Sequence, residues 1–156
     1  MKFRLVDRIV AWQPRESIRG IKTVSFEEYE LKSALGDEPA LPESLLVESL
    51  LQLGNWLVIL SSDFTEMALV LRIQQVQFHH RLRPGESFTG EVSVRSYRAD
   101  GIVFDGRASV GRKVIAEGGG CLAAPVPLSD YYDPEDLRVL FSEIHLPDGQ
   151  TSRERA

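Results

Sequence analysis

The sequence predicts an α+β domain in which one long, apolar helix lies against an antiparallel sheet. Two observations predict this fold class. The stretch from Pro42 to Leu60 is apolar over the length of a helix. After it the chain changes to alternating apolar and polar residues, broken by turn signals such as Asp100-Gly101. Because such a helix must bury its surface, we expect it to be packed on one face of the sheet.

Length, composition and charge predict a single globular domain and argue against two classes of partner. The chain has 156 residues, 43% of them hydrophobic and 26% charged, which predicts one domain over residues 1–145. The net charge of -5 argues against nucleic acid, since phosphate binding needs a concentrated basic surface. The stretch from Pro42 to Leu60 is the membrane candidate, but its Glu, Gln and Asn fit a buried core helix better.

Cysteine usage and the N-terminus predict a cytoplasmic protein. Cys121 stands alone, which excludes an internal disulfide and a cysteine-based metal cluster. No motif indicates a metal or a cofactor, so we expect neither. The first ten residues mix charges with apolar residues, unlike a signal peptide.

The N-terminal part predicts a hairpin and a loop before the helix. Leu5 to Trp12 is predicted to be a short lead-in, helical or extended, and Ile18 to Tyr29 follows it after a break; together they predict a lead-in followed by a hairpin. Lys32 to Pro42 contains glycine and prolines, which predicts a loop, and Pro42 is expected at or just before the first turn of the helix. The helix should end near Ser61 to Phe64.

The part after the helix predicts an antiparallel meander. Pro84-Gly85, Asp100-Gly101 and Gly111-Arg112 mark its turns, and Pro125 and Pro127 should close the sheet. Gly118 to Gly120 lie inside a strand pattern, which favours a bulge or close packing over a phosphate loop. The predicted strands are Met67 to Phe78, Phe88 to Tyr97, Ile102 to Val110 and Val114 to Ala123.

A short second helix and a flexible tail are predicted at the C-terminus. Asp133, Pro134 and Glu135 form an N-terminal signature, and apolar residues recur at helical spacing up to Ile144. This places the helix at about residues 133–144. Residues 146–156 contain too little apolar surface to fold.

Glu48 and Gln52 lie one turn apart on the long helix, and this pair is the first candidate site. On so apolar a helix we expect Glu48 to be buried, and an ionised carboxylate out of water costs several kcal/mol unless it is paired. Such groups often mark functional sites. The alternatives are that one side of the helix is exposed to solvent, or that Glu48 pairs with an Arg or accepts a hydrogen bond from a backbone donor.

Several segments, taken in order, resemble a known family. The motifs are Leu5-Val6-Asp7-Arg8, Pro39-Ala40-Leu41-Pro42, Val47-Glu48-Ser49-Leu50-Leu51-Gln52, Phe78 and Pro84-Gly85-Glu86. They resemble the 3-hydroxyacyl-acyl carrier protein dehydratases of bacterial fatty acid synthesis, whose helix signature is Val-Glu-Ala-Leu-Ala-Gln. The resemblance implies the hot-dog fold, a long central helix wrapped by an antiparallel sheet. It covers roughly residues 3 to 123 and leaves the C-terminal helix outside.

The resemblance implies the elimination of water from a 3-hydroxyacyl thioester at a dimer interface. In that family a His takes the α-proton and a helix Glu protonates the departing hydroxyl, which places Glu48 and Gln52 as the acid and its orienting partner. Backbone N–H groups at the helix entrance polarise the thioester carbonyl. The resemblance places substrate binding at Gly36, Pro42, Glu43, Phe78, His79 and His80, and carrier-protein binding at Arg81 and Arg83.

The chain departs from this family at the catalytic His. Ala34 occupies that position, and Glu43 replaces a Gly at the helix entrance. Losing a positioned acid or base removes about 10² to 10⁴ in rate. His79 and His80 are possible replacements, and strand alternation predicts that only one of them faces inward. The carboxylates at positions 37 and 38 are weaker candidates, and the histidines themselves can be a surface and a packed residue.

Three functions remain open from the sequence. The first is a dehydratase-like protein that acts on, or binds, 3-hydroxyacyl groups on acyl carrier protein in fatty acid or polyketide-type biosynthesis. It would be a homodimer, a heterodimer with a His-bearing paralogue, or a higher oligomer. The second is a non-catalytic acyl-thioester-binding subunit, and the third is a hot-dog thioesterase that uses Glu48. Arg81 and Arg83 belong to the one local basic patch, which either receives the acidic carrier or is a solvated strand end.

Overall fold

A computed structural model describes residues 4–26 and 39–149 of the protein. In these ranges the helices are α1 (Glu43–Ser61) and α2 (Pro134–Ile144), with a short 3₁₀ turn at Leu128–Asp130 between the sheet and α2. The strands are β1 (Arg8–Gln13), β2 (Ser17–Thr23), β3 (Glu66–Arg72), β4 (Gln75–Phe78), β5 (Ser87–Arg98), β6 (Gly101–Val110) and β7 (Lys113–Pro127).

The strands form one antiparallel sheet with the order β1-β2-β5-β6-β7-β3, and β4 also pairs with β7. The helix α1 contacts β1, β2, β3, β5, β6 and β7. The predicted α+β class and the predicted helices are therefore confirmed. The predicted lead-in is extended and is itself the first strand of the hairpin, because β1 pairs with β2. The strand β2 ends at Thr23, and residues 27–29 of the predicted second segment lie outside the described ranges. The bulge predicted at Gly118 to Gly120 is confirmed too, because the β6–β7 register shifts there and Gly120 has φ +62°.

Two strand boundaries differ from the prediction. The segment predicted as one strand from Met67 to Phe78 is two strands, β3 and β4, which pair with different parts of β7. The last strand does not end before its prolines, since Pro125 and Pro127 pair with β3. The β6–β7 pairing stops at Ala123. Beyond this point β7 has a neighbour on one side, so proline nitrogens can face the open side without losing a hydrogen bond.

A row of small residues across the sheet makes the groove in which α1 lies. Gly20 pairs with Gly90, Gly90 with Ala108, and Ala108 with Ala116, so the row crosses four strands. A Cβ atom at Gly20 would stand 2.8 Å from Cδ1 of Leu53 on α1. The helix therefore approaches the sheet to a distance that a larger side chain would prevent.

The helix α1 is the core helix of the domain. Among the described residues it alone is long and apolar enough to cross a membrane. In the fold, however, 11 of its 19 residues are buried, which matches the predicted core helix.

Residues 128–149, here called the C-terminal clasp, cover the far end of α1. Phe141 lies at the centre of an aromatic cluster, with ring centroids 6.0 Å from Trp56, 6.3 Å from Phe64 and 6.5 Å from Trp12. Its ring also stacks on His145 at 4.7 Å. The clasp is thus packed on the core, and His145 has a packing role.

The end of the clasp lies along the outer edge of β1. His145 forms a parallel bridge with Ile9, and the Leu146 N–H donates to the Ile9 carbonyl at 3.0 Å. Asp148 forms an ion pair with Arg19. The first residues of the predicted flexible tail are therefore attached to the sheet, and residues 150–156 lie outside the described ranges.

Candidate functional site

Glu48 and Gln52 are hydrogen-bonded to each other on α1. The Gln52 Nε2 donates to the Glu48 Oε1 at 3.2 Å, as the spacing of one helical turn allows. Gln52 is buried, with 8% of its surface exposed. Glu48 is exposed in the single chain, so the expectation of a buried Glu48 is wrong and the alternative of a solvent-exposed helix side is confirmed. The reason is that the sheet covers only one side of this part of the helix.

The N-terminal segment fixes the orientation of the Gln52 amide. The Leu5 N–H donates to the Gln52 Oε1 at 3.1 Å, and the Ser49 hydroxyl donates to the Leu5 carbonyl at 2.6 Å. Because a backbone N–H can only donate, the amide oxygen must face Leu5 and the amide nitrogen must face Glu48. Glu48 is therefore an acceptor held by a fixed donor. Sequence reasoning found the Glu48–Gln52 spacing but missed Leu5 and Ser49.

A cavity of about 390 Å³ lies beside the beginning of α1. Leu82 is 1% exposed and anchored, its carbonyl accepting the Leu41 N–H at 2.7 Å, while Arg81 and Arg83 on either side of it are exposed. Histidines and arginines dominate the lining, so the cavity suits an acidic partner or a phosphate. The residues that line it are Pro39, Ala40, Glu43, Phe78, His79, His80, Arg81 and Arg83.

Neither histidine of this cavity faces the interior. His79 and His80 follow the end of β4, and both are exposed. The His79 Nε2 lies 3.4 Å from a carboxylate oxygen of Glu117 on β7. The prediction that one of the two looks inward is therefore wrong, because strand alternation does not extend past Phe78, where the strand ends.

The predicted site residues fall into two groups. Glu43, Phe78, both histidines and the arginine pair share the cavity, whereas Glu48 and Gln52 are not among its lining residues. Glu48 lies five residues beyond Glu43, a rise of about 7.5 Å along α1. Pro42 is the residue before the first turn of α1, as predicted. Gly36, Ala34 and the carboxylates at positions 37 and 38 lie outside the described residues.

A second, apolar cavity lies between α1 and the sheet, and Phe78 of the first cavity pairs with one of its lining residues. Phe78 pairs with Ala116, which lines the apolar cavity. With a volume of about 20 Å³, this cavity has room for about one water-sized group as it stands. Its lining is Val47, Leu50, Leu51, Ile73, Val76, Phe104, Gly106, Ala116, Glu117, Gly118 and Cys121.

Cys121 is not an activated thiol, and residues 4–26 and 39–149 form no metal site. Burial raises the pKa of the Cys121 thiol, and the Asp105 carboxylate raises it further, so the reactive thiolate is disfavoured. No group of three or more His, Cys, Asp or Glu side chains in these ranges is placed to hold a metal ion.

The single chain leaves a strand edge open beside α1, on the helix side that carries Asn55, two turns after Glu48. Among the described strands, β3 pairs only with β7, so its other edge is free. Leu69 and Leu71 on this strand are 41% and 60% exposed. The helix side chain next to it is Asn55, whose Oδ1 accepts the Ala68 N–H of β3 at 2.9 Å. An apolar free edge of this kind is a surface for pairing with another chain.

Comparison with known families and proteins identifies the group to which the chain belongs. Residues 1–119 match the FabA-like domain. The chain is 35% identical over 118 residues to a protein of Caulobacter vibrioides named 3-hydroxyacyl-[acyl-carrier-protein] dehydratase FabZ, a match that covers 74% of each chain.

Solved structures agree on the fold at low sequence identity. A hot-dog-like protein from Thermanaerovibrio acidaminovorans has a TM-score of 0.62 at 16% identity and covers 83% of this chain and 91% of its own. The fluoroacetyl-CoA thioesterase FlK has a TM-score of 0.65 at 15% identity, covering 83% and 97%. The dehydratase heterocomplex ApeI:P from Xenorhabdus doucetiae has a TM-score of 0.56 at 12% identity, covering 72% and 92%.

The long helix against an antiparallel sheet, the Glu48–Gln52 pair upon it and the match over residues 1–119 agree with one another. This chain belongs to the FabA-like family and has the hot-dog fold.

Proposed function

We propose that this protein acts on 3-hydroxyacyl thioesters carried by acyl carrier protein, in fatty acid or polyketide-type biosynthesis, and supplies Glu48 to a dehydratase site. The observation that carries the proposal is the hydrogen bond from Gln52 to Glu48, because it holds a carboxyl group in one orientation at the surface of α1. Orientation of this kind is what general acid catalysis requires.

The proposed reaction is the elimination of water across the Cα–Cβ bond of the acyl group. A base removes the α-proton, the C–O bond at Cβ breaks, and Glu48 gives its proton to the departing hydroxyl, which leaves as water. The product is an enoyl thioester. The family's usual base is a His at the position of Ala34, so this chain needs a base from elsewhere.

We infer that a second chain supplies this base and covers Glu48. Glu48 is exposed in the single chain, and acid-base chemistry of this kind works best where water is excluded. The free edge of β3, with its exposed leucines, lies on the side of α1 where Asn55 contacts Ala68. A His-bearing paralogue fits this arrangement, and the hot-dog fold also occurs in a dehydratase heterocomplex.

The basic cavity is the proposed point of contact for the carrier. Arg81, Arg83 and the two histidines outnumber the single carboxylate of Glu43 in its lining. The phosphate of a carrier-bound arm and the acidic surface of a carrier protein would both be attracted there. Phe78, which belongs to this cavity and pairs with a residue of the apolar one, marks the path from carrier to acyl chain.

The compartment proposed for this activity is the cytoplasm. Cys121 is a free, buried thiol, as is usual in proteins of reducing compartments.

The decisive experiment measures enoyl product from a 3-hydroxyacyl carrier-protein thioester. The purified protein is assayed alone and mixed with a His-bearing FabA-like protein from the same organism. We expect product in the mixture, and a loss of about 10² to 10⁴ in rate in Glu48→Gln, which keeps the shape of the side chain but cannot transfer the proton. Glu135→Gln on α2 is the matched control and should retain the rate.

Each outcome of this assay decides between functions. Absence of enoyl product in both arrangements would sink the dehydratase proposal, and a full rate in Glu48→Gln would remove Glu48 from the mechanism. Release of free carrier thiol instead of enoyl product would favour the thioesterase alternative, whose fold is shared by FlK. Binding of the acyl carrier without turnover would favour the non-catalytic subunit.

A further inference from the structure

Ser49 is a buried polar residue next to Glu48 in the chain. It is 4% exposed, and its hydroxyl donates to the Leu5 carbonyl at 2.6 Å. The helix signature of the resembled dehydratases has Ala at this position, so the helix does not need a hydroxyl in order to pack. The hydroxyl therefore has a separate consequence in this chain.

Ser49 and Gln52 hold the same residue of the N-terminal segment. They are three residues apart and so share one side of α1. Ser49 binds the carbonyl of Leu5, and Gln52 binds its N–H through Oε1 at 3.1 Å. Leu5 itself is 3% exposed. Two hydrogen bonds to one residue fix the direction of its N–H, which a single bond would leave free to tilt.

The N-terminal segment is also anchored on its other side. The Asp7 N–H donates to the Ile21 carbonyl at 2.9 Å, and the Asp7 Oδ2 accepts the Thr23 N–H at 2.7 Å. The Nζ atom of the buried Lys22 lies 3.5 Å from the Asp7 Oδ1 and forms an ion pair with it. Because the segment is tied to β2 at Asp7, it cannot shift along α1 to compensate for a lost contact at Leu5.

We propose that Ser49 is a positioning residue for Glu48, acting through Leu5 and Gln52. Ser49 sets the direction of the Leu5 N–H, this N–H sets the direction of the Gln52 amide, and the amide holds the Oε1 of Glu48. The second carboxyl oxygen of Glu48 is then left for the substrate. The catalytic part of this inference rests on the proposed function, whereas the hydrogen-bond part stands without it.

The first test compares wild-type protein with Ser49→Ala by NMR of the full chain. We expect faster hydrogen exchange at the Leu5 amide and shifted signals for the side-chain amide protons of Gln52. Ser142→Ala is the matched control, because it removes another serine hydroxyl bonded to a helix carbonyl, at 2.6 Å on α2. Leu5 exchange and Gln52 signals that stay at wild-type values in Ser49→Ala would overturn the proposal, whether or not the protein is an enzyme.

The second test uses the enoyl assay. It is run with the protein alone or in the mixture, whichever forms enoyl product. Ser49→Ala should lower kcat about tenfold with KM unchanged, since a small misplacement of the acid affects the chemical step. If Ser49 acts through Gln52, adding Ser49→Ala to Gln52→Leu should reduce kcat no further. Two losses that multiply, or a change confined to KM, would contradict a positioning role.

Absence of enoyl product in every arrangement would refute the proposed function. The NMR comparison would then still test the hydrogen bonds that link Ser49, Leu5 and Gln52. Melting temperatures of all variants show whether a lost rate comes from loss of fold. Alanine is a better helix former than serine, so α1 should remain intact in Ser49→Ala.

Discussion

The two halves of α1 belong to one largely apolar stretch of sequence but are covered differently in the fold. From Trp56 to Leu60 every residue is buried, with the sheet on one side and the aromatic cluster around Phe141 on the other. From Glu43 to Glu48 only Leu46 is buried. The first half thus has an open side, and Glu48 lies on it.

This difference separates the structural part of the helix from its chemical part. The half of α1 from Trp56 to Leu60, here called the closed half, is covered by the clasp. The clasp lies beyond the residues matched by the FabA-like domain. The open half carries the Glu48–Gln52 pair and begins beside the basic cavity. Side chains that a single chain leaves uncovered on an otherwise apolar helix are candidates for contact with a partner or a substrate.

The largest effect should follow from truncation in the closed half. Trp56→Ala should lower the free energy of unfolding by about 3–5 kcal/mol, because Trp56 is 2% exposed and its removal leaves a large cavity. Leu45→Ala, in the open half, should lower it by only about 1 kcal/mol, since Leu45 is half-buried. Urea denaturation followed by circular dichroism measures both. Equal losses would mean that the two halves are equally closed.

A smaller effect is expected at Gly54, where the two halves meet. An added Cβ atom would lie 2.9 Å from the Phe104 ring, so overpacking outweighs the gain in helix propensity. Gly54→Ala should therefore lower the free energy of unfolding by about 1–2 kcal/mol.

The matched control for Gly54 is the double variant with Phe104→Leu, which removes the ring that the new methyl group meets. The two losses should then be less than additive in urea denaturation. Strict additivity would show that Phe104 does not limit the approach of α1 to the sheet.

The smallest effect concerns the clasp at the edge of β1. Leu146→Pro removes the N–H that donates to Ile9 and should lower the free energy of unfolding by about 1 kcal/mol. It also uncovers a strand edge, so we expect association at high protein concentration, measured by light scattering. Leu146→Ala keeps the N–H and should stay at the wild-type association state. Identical behaviour of the two variants would refute the edge-covering role.

Much of the fold was predictable because its signals are local. The helix predicted from Pro42 to Leu60 is observed at Glu43–Ser61, and the Asp133 cap of α2 accepts the Glu135 N–H at 2.9 Å. Apolar periodicity and capping residues act within one or two turns of the chain. The division between β3 and β4 was missed because it depends on pairing with separate parts of β7.

The candidate site was predictable to the same extent. The Glu48–Gln52 pair is read from a spacing of one turn, and the structure contains their hydrogen bond. The hydrogen bond between Ser49 and Leu5 joins residues 44 positions apart, so no local sequence pattern predicts it. The two histidines were misjudged because alternation holds only within a strand, and β4 ends at Phe78.

By itself, the sequence determined the α+β class, the order of the elements and the pairing of Glu48 with Gln52, because neighbouring residues along the backbone set these features. Only the tertiary structure decided that Glu48 is exposed, that the clasp lies along the edge of β1 and that α1 sits in a groove of small residues. The physical reason is that exposure depends on which distant segments pack against a residue. The polarity of a side chain and of its neighbours in sequence does not specify which distant segments will cover it.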